Sequence, residues 1–395
     1  MPRVSVISPM YNEPSLRVRP AARRRRLTHD VAIYAPWGAL YYGRDRDYMG
    51  GAEVQTTMLA HALKRRGLRV AHIVYPVKEP RPLEASSPTL VERSAWRRQG
   101  PLGELAETAA IWRGLHRADA EAYIVRGGGG HLIAASSFCR VLRRRLLFSS
   151  SSELDFDFAR ADRDPRTLRL YKASLRLADD LVVQTRQQRE LARRSFPDRE
   201  PVVIPSFAEP APGANGSGKY FLWADRLVEY KCPDRYVELA EALPDARFRM
   251  VAAVNNETPP GMAERIEAAA RRLPNLELVP PRPRSRLLEE MQQAVAVVKT
   301  SRVEGMPNAF LEAWARGVPV LSLNVDPDAK IEDNRLGVAA GGSLERLIAA
   351  AAALWADPEQ RLAIGERARR FIADVHSPEA VADRWVALLD GRPAG

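Results

Sequence analysis

The 395-residue chain holds only two cysteines, Cys139 and Cys232, in distant segments. That scarcity excludes a disulfide scaffold and a cysteine metal centre. No apolar run is long enough to cross a membrane as a helix. A secretory h-region is missing too, because MPRVSVISPMYNEPSLRVRP is broken by prolines, Asn12, Glu13 and arginines. Finger, zipper and aromatic RNA-binding signatures are absent, so no nucleic-acid partner is expected despite a net charge of +11. The four glycines at 127–130 lack the G-x-G-x-x-G spacing and strand-to-helix context of a dinucleotide fingerprint, which disfavours a dehydrogenase. No His, Cys and Asp cluster has metal-ligand spacing. Lysine is scarce, 7 against 53 arginines, a skew that fits a GC-rich genome and says nothing about partners. A cytoplasmic enzyme is the default reading.

What is present fits a globular protein of two domains. Hydrophobic residues are 46% and charged residues 28%, and the length exceeds one typical core. Charge is unevenly placed. Residues 1–217 carry 36 basic and 23 acidic residues, whereas residues 218–395 carry 24 and 26. A basic half can face an anionic membrane surface, giving peripheral contact at the inner face of the membrane. A purely compositional origin stays open beside that reading.

Residues 1–29 read as an N-terminal extension without fixed structure. VSVISPMYNEP resembles the first strand and turn of family-2 glycosyltransferases of GT-A fold, but the likeness stops within a dozen residues and runs into RPAARRRRLTHD. From Asp30 the chain alternates. DVAIYAP reads as a strand, GGAEVQTTMLAHALKRRG as a helix with Val54, Met58, Leu59 and Leu63 on one face, and LRVAHIVYP as a strand. Strand and helix patterns continue through AYIVRGGGG, SSFCRVLRRR, RLLFSSSS, LYKASLRLADD, LVVQT, RQQRELARRSF and PVVIPSF. PSFAEPAPGANGSGKY interrupts the rhythm, and the alternation restarts at YFLWADRL. The prediction is α/β: two doubly wound domains at 30–208 and 209–375, facing a central cleft, and a terminal helix within 376–395 that can pack back on the first domain.

Two elements carry chemistry. EGMPNAFLEAWARGVPV at 304–320 sets Glu304 in a loop after the strand VAVVKTS, Pro307 and Asn308 at a helix start, and Glu312 about one turn on, on the order of 6 Å beyond Asn308. A helix start attracts phosphate, and ionised carboxylates accept hydrogen bonds from paired sugar hydroxyls. Taken alone, Glu304 reads equally as a loop charge and Glu312 as a half-exposed helix residue. FLWADRLVEYK adds Arg226 at the end of a strand and Lys231 five residues later, a pair suited to a diphosphate without a metal.

Together these segments resemble the retaining GT-B glycosyltransferases of family 4, the glycogen-synthase-like group. That family carries an Arg-x4-Lys pair and an element close to E-G-x-P-x-x-x-L-E-A-x-A-x-G-x-P-V, and both stand here in order and spacing. GGAE at 50–53 looks like the family's N-terminal glycine pair. The resemblance implies that Arg226 and Lys231 neutralise the diphosphate of a UDP- or GDP-linked sugar. It further implies that Glu304 holds the donor sugar and Glu312 the ribose, with Gly305, Met306 and Asn308 contributing backbone N–H groups. Gly51 would approach the phosphates from the other domain. The anomeric configuration would be retained, with a donor phosphate oxygen taking the acceptor's proton. No Asp-x-Asp stands where a metal-dependent transferase needs one. No metal or cofactor is expected beyond the nucleotide sugar as co-substrate, and the acceptor is a glycan or a lipid-linked molecule, as in polysaccharide biosynthesis. A sugar-nucleotide epimerase, a phosphorylase and a non-catalytic sugar-nucleotide or glycan-binding protein stay open as alternatives. Two positions depart from the family: Asp225 and Cys232 stand where it has glycines, and a turn role is expected for Asp225.

Further candidates face the same cleft. His131 follows the glycine run and can reach the donor sugar or its phosphate, or serve only as a loop or packing histidine. Asp155 and Asp157 follow another strand and can contact an acceptor, or simply be solvated. Trp37, Tyr41, Tyr42, Arg44 and Arg46 populate a long loop read as acceptor-facing, or as a lid.

Overall fold

A computed structural model describes residues 27–45, 50–94, 100–159, 164–211 and 218–392. Most of the N-terminal extension, together with Arg46, lies outside the described residues. The first sheet has seven parallel strands: β1 (His29–Tyr34), β2 (Val70–Val74), β3 (Thr89–Glu92), β4 (Ala120–Arg126), β5 (Arg145–Ser149), β6 (Asp180–Val183) and β7 (Val202–Val203). Its spatial order is β3-β2-β1-β4-β5-β6-β7. Between the strands run α1 (Ala39–Tyr42), α2 (Gly51–Arg65), α3 (Pro101–Ala118), α4 (Gly130–Leu142), α5 (Pro165–Leu177) and α6 (Arg186–Ser195). Apolar clusters cover both faces of the sheet, as a strand run with Val and Ile at consecutive positions requires.

The second sheet has six parallel strands in the order β10-β9-β8-β11-β12-β13. They are β8 (Tyr220–Arg226), β9 (Phe248–Ala253), β10 (Leu276–Val279), β11 (Ala294–Lys299), β12 (Val320–Ser322) and β13 (Gly337–Ala339). The helices are α7 (Pro233–Ala242), α8 (Met262–Arg272), α9 (Arg284–Gln292), α10 (Asn308–Ala315), α11 (Lys330–Asp333), α12 (Leu344–Ala356), α13 (Pro358–Phe371) and α14 (Pro378–Leu389). Ser377 caps α14 through the Ala380 N–H. The helix returns to the first domain, where Val381, Trp385 and Leu388 share a core with Leu59 and Leu63 of α2.

Strand order places the chemistry. In each sheet the chain runs outward on one side of its first strand and then crosses to the other side. The crossing leaves a crevice beyond the carboxyl ends, between β1 and β4 in one sheet and between β8 and β11 in the other. Tyr34 and Arg126 close the first pair of strands; Arg226 and Lys299 close the second.

Candidate active site

Two helix starts meet across the cleft. Gly50 and Gly51 open α2, and Pro307 and Asn308 open α10. A Cβ on Gly51 would overlap the side-chain amide of Asn308, so any larger residue there has to displace that amide. Gln55, one turn into α2, donates to the Phe207 carbonyl at 2.8 Å and to Asn308 Oδ1 at 3.1 Å, and accepts from the Phe207 N–H at 2.7 Å. Neither helix start carries a side-chain cap, and the two lie against each other at Gly51 and Asn308, an arrangement that suits an anion.

Beside it, four charges alternate in sign, the two lysines buried and the two carboxylates largely so. Lys231 Nζ lies 2.5 Å from Glu304 Oε1 and 3.2 Å from Asp225 Oδ2. Lys299 Nζ lies 3.1 Å from the same Glu304 oxygen and is ion-paired with Asp225. Burial opposes the charge of Glu304 and of Asp225, yet the two ammonium groups hold both carboxyls below their ordinary range. Burial also works against Lys299, but Asp225 and Glu304 keep it above the usual lysine value. Lys231 is drawn below that value by burial and by the Lys299 charge. The backbone of Lys231 is fixed in turn, since its carbonyl accepts from Thr300 Oγ1 at 2.7 Å and Trp223 Nε1 donates to that hydroxyl at 3.0 Å.

The structure thus brings Lys231 and Glu304 together. Arg226 is close in sequence but turned differently: its guanidinium is half exposed, 2.5 Å from Glu257 and 2.6 Å from the Tyr230 hydroxyl. Glu312 is ion-paired with Arg284 at 2.5 Å, and both line an interdomain cavity of about 600 Å³ with Asn308 and Gln55. The loop after Glu304 touches the first domain, where a Cβ on Gly305 would lie 2.7 Å from Gln188 Nε2 and 3.1 Å from the Ser151 carbonyl. The Met306 side chain belongs to the core of the second domain, so only its backbone can face a ligand.

Several expectations need correction. Asp225 takes no turn role. Strand alternation sets it on the same side of β8 as Phe221 and Trp223, where it faces the two lysines. Asp155 is neither solvated nor open to an acceptor: buried, it accepts from the Ser151 N–H at 2.7 Å and the Ser152 N–H at 3.2 Å, fixing the loop after β5. Asp157 nearby is half-buried. Tyr42 is buried with its hydroxyl 2.8 Å from His72 Nδ1, because that buried imidazole needs a polar partner. Arg44 points outward and pairs with Glu79 at 3.2 Å. Tyr41 lines the 600 Å³ cavity.

His131, in the first turn of α4, stacks on Tyr34 with centroids 5.8 Å apart. Burial lowers its pKa despite the nearby Arg126 and Gly127 carbonyls, so it is neutral near pH 7. Arg126 was not anticipated. Burial pushes it down to about 10 against the pull of Asp155 and Glu53, and its guanidinium donates to Ser149 Oγ at 3.2 Å. Lys299 was missed as well. The readable signal was one lysine closing an apolar strand in a chain that otherwise uses arginine. Among the described residues no group of three or more His, Cys, Asp or Glu converges as a metal site, and no helix is long and apolar enough to cross a membrane.

Two facing Rossmann-like domains, with cations, carboxylates and helix starts gathered between them, define the GT-B class. Residues 50–206 match the glycosyl transferase 4-like domain, and residues 207–371 match the glycosyl transferases group 1. Sucrose-phosphate synthase from Thermosynechococcus elongatus is similar in structure, with TM-score 0.71, 16% identity, and coverage of 92% of this chain and 98% of that one. HepE from Anabaena, solved with UDP and glucose, gives 0.71, 14%, and 92% and 99% coverage. WaaG, a glycosyltransferase involved in lipopolysaccharide biosynthesis, gives 0.64, 17%, and 91% and 100% coverage. The chain belongs to the GT-B glycosyltransferases.

Proposed function

We propose that the protein is a retaining, metal-independent glycosyltransferase that moves a sugar from a UDP- or GDP-linked donor to a glycan or lipid-linked acceptor. The observation that carries this reading is the contact of Lys231 with Glu304 inside the buried charge ring, next to the meeting point of α2 and α10. A nucleotide diphosphate entering there takes Lys231 as its counter-ion and the two helix starts as hydrogen-bond donors. Lys299 stays on Glu304 and keeps its carboxylate ionised and aimed at the hydroxyls of the donor sugar. Glu312, exchanging Arg284 for the ribose, fixes the nucleoside end. The acceptor oxygen then bonds to the anomeric carbon on the face the nucleotide leaves, the carbon–phosphate oxygen bond breaks, and a phosphate oxygen of the departing diphosphate takes the acceptor's proton. Stabilising that developing diphosphate charge is the main electrostatic task. The UDP and glucose in the HepE complex support the choice of donor class.

Thermal-shift titration against UDP-, GDP-, ADP- and dTDP-sugars with a chelator present tests the reading. A ligand at a hundredfold excess over its Kd stabilises by about 2.7 kcal/mol. A response to at least one of them is expected, abolished in Lys231→Ala and Glu304→Ala. Proton NMR of the product must show the donor's anomeric configuration; an inverted product, or an absolute need for a divalent ion, would refute it.

A further inference from the structure

The first domain has its own cavity, about 730 Å³, beyond the carboxyl ends of β1 and β4. Its lining is mixed: Arg126, Glu53 and His131 put charged and polar groups beside Ile111 and Ile133, while Tyr34 and Tyr75 supply ring faces. Its rim is different. Trp37 and Leu170 line the mouth at 60% and 54% exposure, and Leu102 and Leu105, flanking the lining residues Gly103 and Glu104, are 83% and 67% exposed. Trp37 and Leu170 therefore stand in water at the cavity mouth, Leu102 and Leu105 stand exposed on the adjoining start of α3, and the lining residues Ala52 and Glu53 continue into the helix start that meets Asn308.

Helix α5, which brings Leu170 to the mouth, carries Arg166, Arg169, Lys172 and Arg176 and no carboxylate. Its inner face buries Tyr171, Ser174 and Leu175, and its exposed stripe alternates arginine with Leu170 and Leu177. Isolated leucines between arginines make no continuous apolar patch for a protein partner. They match a bilayer surface, where leucines enter the acyl boundary and guanidinium groups meet lipid phosphates.

We propose that this rim docks on an anionic lipid surface, and that the acceptor is a lipid-linked sugar whose polar head enters the cavity while its anchor remains at the rim. The proposal rests on the transferase reading and decides between the two acceptor classes it leaves open. The basic balance of the N-terminal half thereby acquires a location: α5 and the cavity mouth.

The test uses the full chain in co-sedimentation with vesicles. Binding is expected to mixed phosphatidylcholine and phosphatidylglycerol vesicles and not to phosphatidylcholine alone. The double variant Leu102→Glu/Leu105→Glu, and separately Arg169→Glu, should lower the partition coefficient at least about tenfold with unchanged melting temperature, since these side chains are exposed. With a labelled nucleotide sugar and a total lipid extract as acceptor, label should enter the organic phase, and less of it with either variant. No binding to mixed vesicles, equal binding to both vesicle types, full binding by the variants, a dimer that the leucine substitutions dissociate, or label confined to water-soluble product would each overturn the proposal. Nucleotide-sugar stabilisation of the unaltered protein is read in parallel. If that is lost, the transferase reading has failed instead.

Discussion

Replacing Lys299 with Met leaves Asp225 and Glu304 sharing a single ammonium, that of Lys231. Breaking a buried ion pair from one side costs about 3–5 kcal/mol because a charge is left without its partner. Lys231 already lies within 3.2 Å of Asp225 and 2.5 Å of Glu304, so part of the compensation survives and the lower end, about 3 kcal/mol, applies. For domains of this size that is a fall of roughly 6–12 °C in Tm. Lys231 is then also held harder by the carboxylates and is less available to a diphosphate, so donor Kd should rise by about tenfold or more, or 1.4 kcal/mol. Adding Asp225→Asn removes the surplus charge but keeps the oxygen that accepts the Arg226 N–H at 2.8 Å. The double variant should therefore recover about 2 kcal/mol, a coupling within the range for contacting residues. Differential scanning calorimetry of the unaltered protein, Lys299→Met, Asp225→Asn and the double variant, with isothermal titration of the donor, measures both terms. A loss below about 1 kcal/mol for Lys299→Met, or a double variant no better than the single one, would show that the ring is not coupled as its distances imply.

Three other substitutions and one titration bear on the same architecture. Gly51→Ala places a methyl group in the Asn308 amide and should reduce kcat/KM by about 10–100-fold with an unchanged far-UV spectrum; normal kinetics would mean that the two helix starts need not meet. Cys232 has φ +49°, a left-handed conformation costing a non-glycine residue about 1–2 kcal/mol, so Cys232→Gly should raise the urea midpoint despite its more flexible unfolded chain. His72 and His376 are buried, and burial pushes them down to about 3 and about 4 from 6.5. Both are neutral when folded, so their contribution is intact above the unfolded value. It falls as pH drops below 6.5, because only the unfolded chain then takes up protons. The loss is about 2 kcal/mol per histidine at pH 5. His376→Asn retains a donor for the Ser206 carbonyl, which His376 Nδ1 approaches at 2.7 Å, and should flatten that dependence by about half between pH 7 and 5 in Tm measurements.

Local pattern determined much of this protein. Apolar strands such as VAIY and VAVV, helices with one buried face and glycine-rich breaks predict alternating units, and that alternation alone implies parallel sheets. The β3 and α3 pair was not legible: β3 is short and half exposed, and α3 shows Leu102 and Leu105 to solvent, which blurs its helical period. The Ala-rich α12 was not legible for a similar reason, since alanine suits either face. Motif spacing singled out Lys231 and Glu304 because each lies in a short connection between a strand end and a helix start, and that is a property of chain order. Which cation each carboxylate faces is not such a property. Asp225 and Lys299 stand 74 positions apart and meet only because β8 and β11 are neighbours in the sheet. Tertiary packing likewise turned Arg226 toward Glu257, sent Tyr42 and Asp155 into the interior, and brought exposed Trp37 and Leu170 from two distant segments to the mouth of one cavity. Periodicity reports which side of an element is buried; the partner met there depends on strand order and on how two domains close, and neither is written in any single stretch of sequence.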